Sequence, residues 1–84
     1  MKLFLISQRV NNDYDTYSDA VVRAETPEEA KRIHPNGTAV WGDAETEEGY
    51  TLATWADPRR VTVTLLGEAI DPTPGVVCAA FNAG

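Results

Sequence analysis

Ala20-Val21-Val22-Arg23-Ala24-Glu25-Thr26-Pro27-Glu28-Glu29-Ala30-Lys31-Arg32-Ile33-His34-Pro35 changes its pattern once, at Thr26, and that change sets the fold class. Before it, Ala20, Val22 and Ala24 alternate with Val21, Arg23 and Glu25, the period of a strand with one more polar face. From Thr26 onward each residue suits a helix start. Thr26 can cap, Pro27 needs no amide partner at the first helical position, and Glu29 sits where a capping box requires an acid. The acids favour the positive end of the helix dipole, and Lys31, Arg32 and His34 the negative end. Pro35 stops the helix, which is expected to run about two turns. Its apolar stripe is only Ala30 and Ile33, so it must lie on a sheet.

Working back, Leu3-Phe4-Leu5-Ile6 is a short apolar run that reads as a central strand buried on both faces. Asn11 to Asp19 is rich in residues that satisfy their own backbone and reads as a loop. Working forward, Val61-Thr62-Val63-Thr64-Leu65 alternates as a strand and runs to Gly67, where a bulge or bend is expected. Asp71-Pro72-Thr73-Pro74-Gly75 is a turn by composition, and Val76 to Phe81 a last strand. Residues 39–41 and 50–55 could add short strands. Residues 1–84 thus predict one small α+β domain: an antiparallel sheet of four to five strands with one short helix on one face, ordered β-β-α-long loop-β-β. The uncovered sheet face invites a homodimer or another partner.

A chain of 84 residues has one small core. The single cysteine, Cys78, excludes an internal disulfide, and its apolar neighbours predict a core position. The N-terminal apolar run is far short of a signal peptide, and no stretch approaches membrane-spanning length, so a cytoplasmic setting is expected. Thirteen acids against seven bases give a net charge of −6, which opposes binding to nucleic acid or anionic lipid.

The segment from Ile33 to Val61 carries both tryptophans and the acidic run Asp43 to Glu48, and long irregular connections of this kind are commonly functional. No motif fixes a reaction. His34 is the only histidine, no nucleophile elbow accompanies Ser7 or Ser18, and the glycines form no phosphate loop. Zinc lacks a ligand set. Asn11, Asp13 and Asp15 space like a calcium loop, but Thr16 and Val22 stand where glycine and a bidentate acid are needed. Asp13, Asp15 and Asp19 therefore read as a solvated turn, and no metal or cofactor is expected. Asn36-Gly37-Thr38 reads as a tight turn.

Aromatic side chains bring contact area with a polar handle. The expected function is accordingly non-enzymatic: contact with a basic protein surface through Tyr14, Tyr17, Trp41, Asp43, Glu45, Glu47, Glu48 and Tyr50. The alternative is an oligomeric binder of a small molecule or nucleotide through His34, Trp55, Arg59 and Arg60. Trp55 is also a candidate for the core.

Met1 to Gln8, Asn12 to Val22 and on through Ala30, Ile33-His34-Pro35, Leu66-Gly67-Glu68-Ala69 and Phe81-Asn82-Ala83-Gly84 together resemble small uncharacterised proteins encoded by tailed bacteriophages. The resemblance implies a product acting inside a bacterial cell, in the manner of phage accessory proteins that bind host or defence proteins. It transfers no catalytic or binding residue.

Overall fold

The computed structural model describes residues 1–12, 14–37 and 55–82. Strands β1 (Lys2–Ser7) and β2 (Thr16–Ala24) precede helix α1 (Pro27–Lys31), and strands β3 (Thr62–Glu68) and β4 (Gly75–Asn82) follow a 3-10 turn, Pro58–Arg60. The sheet is antiparallel throughout, in the order β3-β1-β2-β4. Helix α1 lies against β1, β2 and β3 on one face. The expected α+β class and element order are what the chain adopts.

Register assigns the faces, because directly paired residues share one. Phe4 pairs with Val22 and Ile6 with Ala20, and these four are buried beneath the helix with Ala24, Ala30, Trp55, Ala56 and Val61. Alanine at positions 20, 24 and 30 keeps the facing surfaces low. That lets so short a helix approach the sheet. On the opposite face Leu5 pairs with Val21, and Val21 with Cys78. Leu3 and Leu5 are only half-buried, so β1 is central but, among the described residues, covered on one face only, correcting the expectation of burial on both.

Helix α1 is shorter than the two turns expected, since the carbonyls of Glu29 and Ala30 already close onto the amides of Arg32 and Ile33. Thr26 Oγ1 accepts the Glu29 amide at 3.1 Å, as the capping reading requires. Glu29 reaches back one residue further than a capping box, accepting the Glu25 amide at 3.0 Å.

Strand β2 begins at Thr16, within the stretch expected to be loop, because β4 pairs with it there and a register shift at Ser18 keeps Tyr17 on the helix side. A second shift leaves Leu66 without a partner between Leu65 and Gly67, and Gly67 takes φ 156°, a region that favours glycine. The bend expected there is present.

β3 and β4 occupy opposite edges, so residues 69–74 form no hairpin. They cross the ends of β1 and β2, about 14 Å at ordinary strand spacing and within reach of the chain. Ala69 donates its amide to the Met1 carbonyl, Arg23 donates to the Thr73 carbonyl, and Asp71 accepts the Thr73 amide. Those contacts hold the crossing against the sheet. The strands expected at 39–41 and 50–54 lie outside the described residues, while Trp55 is a buried bend.

Candidate functional site

Gln8 organises the loop that ends β1, a role the sequence reading missed. Its side chain is buried and makes four hydrogen bonds: Nε2 donates to the carbonyls of Asn11 and Tyr17, and Oε1 accepts the amides of Val10 and Asn11. Asn11 in turn donates to the Trp55 carbonyl at 3.2 Å, tying the loop to the segment before β3. Asp15 follows with φ 62°, a left-handed conformation that Asp tolerates, and gives its amide to the Asn82 carbonyl. Tyr14 is left 75% exposed at the tip.

Tyr17 has a different fate. Its ring packs edge-on to His34 at 5.7 Å and against Phe81 at 4.8 Å. His34 stands 6.5 Å from Trp55, so these rings form one cluster beneath the helix side of the sheet. His34 is fully buried, and desolvation lowers its pKa from 6.5 to about 4. The Asn36 amide donates to its Nδ1 at 3.0 Å, which requires the neutral ring with the proton on Nε2. Gly37 completes the turn at φ 101°, its amide on the His34 carbonyl, as expected of Asn36-Gly37.

The four residues of the ligand-binding alternative are therefore divided. His34 and Trp55 are core, whereas Arg59 and Arg60 are exposed. Arg59 is held by Asp57 within its own turn, Nε to Oδ1 and Nη2 to Oδ2 both at 3.1 Å. That side-chain bond, with the Arg59 amide, keeps the Asp57 carboxyl below the usual carboxylate range. Of the residues expected to contact a protein partner, Trp41, Asp43, Glu45, Glu47, Glu48 and Tyr50 lie outside the described residues. Asp13 does too, while Asp19 pairs loosely with Arg9 at 3.4 Å.

Cys78 is exposed, correcting the core assignment. β4 is an edge strand, and register places Cys78 with Val21 on the open face, across the sheet from the Tyr17 and His34 cluster. The only thiol and the only imidazole are thus on opposite sides. Among the described residues no three His, Cys, Asp or Glu side chains gather as a metal site, and no helix is long and apolar enough to cross a membrane.

What the sheet does assemble is surface. A shallow hollow of about 210 Å3 on the open face is lined by Leu5, Asp19, Val21, Cys78 and Ala80, apolar except for Asp19. A second groove, about 320 Å3, runs by the loop end past Asn11, Asn12, Thr16, Ser18, Phe81 and Asn82. β4 also presents Val77 and Phe81, each 48% exposed. No known protein family, curated protein or solved structure matches the chain.

Proposed function

We propose that this chain is a non-catalytic accessory protein of the bacteriophage kind, which acts in the bacterial cytoplasm by occupying a site on a host or defence protein. The observation that supports it is the open sheet face, where Leu5, Val21, Cys78 and Ala80 form a continuous apolar row across β1, β2 and β4 without a covering layer among the described residues. Contiguous exposed apolar surface on a small domain marks a contact site. The row supplies burial, and the exposed Tyr14 supplies an aromatic anchor. The acids Asp43, Glu45, Glu47 and Glu48, with Trp41 and Tyr50, add steering toward a basic partner, in keeping with a net charge of −6. The sequestering alternative has less support, since His34 and Trp55 serve the core and Arg59 already has a carboxylate partner.

Capture from bacterial lysate with Val21→Lys as the comparison tests the reading. A protein retained by the wild type should be lost from Val21→Lys, retained by the surface control Ile70→Lys, and weakened about tenfold by Tyr14→Ala. Equal retention by the wild type and Val21→Lys, with both folded by circular dichroism, would overturn it.

A further inference from the structure

Strand β4 is an edge with neither charge nor proline along it. Edge strands in monomers are blunted by charge, proline or shortness, because their free amides and carbonyls would otherwise pair with another chain. β4 runs Gly75-Val76-Val77-Cys78-Ala79-Ala80-Phe81-Asn82, eight residues with no charge and no proline. Among the described residues β2 is its only neighbour. The opposite edge is different: β3 carries two threonines and the charge of Glu68.

We infer that β4 pairs with β4 of a second copy, antiparallel about a two-fold axis at Ala79, joining two sheets into one of eight strands. Two features of the strand select its own copy as the occupant. Around Ala79 the sequence reads large, small, small, small, large from Val77 to Phe81, and Val77, Ala79 and Phe81 share one face by the strand period. A two-fold axis there sets Val77 against Phe81 of the other copy and Cys78 against Ala80, so the two half-exposed large side chains cover each other. Charge is the second feature. With −6 on each molecule, copies repel wherever acids meet, and they can approach only along a neutral strip. A basic partner gains nothing from that strip; an equally neutral strand does. The register shift at Val77 lies near the beginning of β4, the one at Ser18 places its extra residue on β2, and β4 stays strand through Asn82. Pairing along the edge leaves the Leu5 and Val21 row open, so this inference stands whether or not that row binds a partner.

Sedimentation and light scattering across about 5–200 µM should give a species of twice the 9.2 kDa chain mass. Val77→Lys and Phe81→Lys should each return it to monomer, while Val21→Lys on the open face should leave it a dimer. Strand geometry sets the two Cys78 Cα atoms about 8–9 Å apart, so a short bis-maleimide should link wild-type chains through their only cysteine. The cross-link keeps the test alive should either lysine variant fail to fold. A wild type that stays monomeric and uncross-linked at the highest concentration overturns the inference. So does a dimer dissolved by Val21→Lys but not by a folded Val77→Lys.

Discussion

Gln8 shows how much one buried amide can fix. Its two donors and one acceptor oxygen satisfy backbone groups on both sides of the turn, and so fix Val10 and Asn11 against Tyr17. Replacing it by leucine leaves two carbonyls and two amides without that partner. Gln8→Leu should therefore cost about 2–4 kcal/mol in urea denaturation. Gln8→Glu keeps the acceptor but sets a carboxylate against the carbonyls of Asn11 and Tyr17, so it should destabilise at pH 7 and partly recover as the acid protonates. A change below about 0.5 kcal/mol for either variant would show that the loop holds itself. Nothing in a lone Gln after an apolar run announces this role, which depends on Tyr17 arriving opposite. Cys78 misleads in the complementary way: its apolar neighbours are those of a core strand, and only the strand order puts them at an edge.

At the scale of elements, α1 is the piece that local chemistry specifies most fully, and the cap is its most testable part. Five residues make little helix of their own, so the Thr26 bond to the Glu29 amide is a large share of what holds the first turn. Thr26→Ala should cost about 1 kcal/mol and Thr26→Ser only a few tenths, read from urea midpoints at constant slope. Equal stability of all three would mean that packing of Ala30 alone sets the helix. Capping made α1 legible, a short apolar run the course of β1 from Leu3 to Ile6, and alternation most of β3, because each depends on near neighbours in sequence. The pairing of β4 with β2 was not. It follows from residues 69–74 crossing the sheet end, fixed by Arg23, Thr73 and Met1, which the turn-like composition of Asp71 to Gly75 does not reveal. The candidate surface shared that fate, since Leu5, Val21 and Cys78 become neighbours only through register, while Tyr14 was legible as an aromatic in a polar turn.

For the molecule as a whole, the rings of Tyr17, His34 and Trp55, with the half-exposed Phe81 at their edge, join β2, the chain after α1, the segment before β3, and β4. Protonating His34 strains all four connections together, so its titration is read in the global folding equilibrium. Burial holds its folded pKa at about 4 against 6.5 for the free side chain. Above pH 6.5 the ring is neutral in both states and its contribution is fully present. As pH falls below 6.5 the unfolded chain takes up a proton that the folded one refuses, and stability drops until about pH 4, where both states are charged. Between pH 7.5 and 5, largely above the range in which ordinary carboxylates titrate, the loss should be about 2 kcal/mol. Urea melts of the wild type should show that fall, and melts of His34→Gln should be nearly flat over the same interval whatever their absolute midpoint. Parallel pH profiles for the two proteins would mean that the folded interior admits the charged ring, and that the aromatic cluster is looser than its burial indicates.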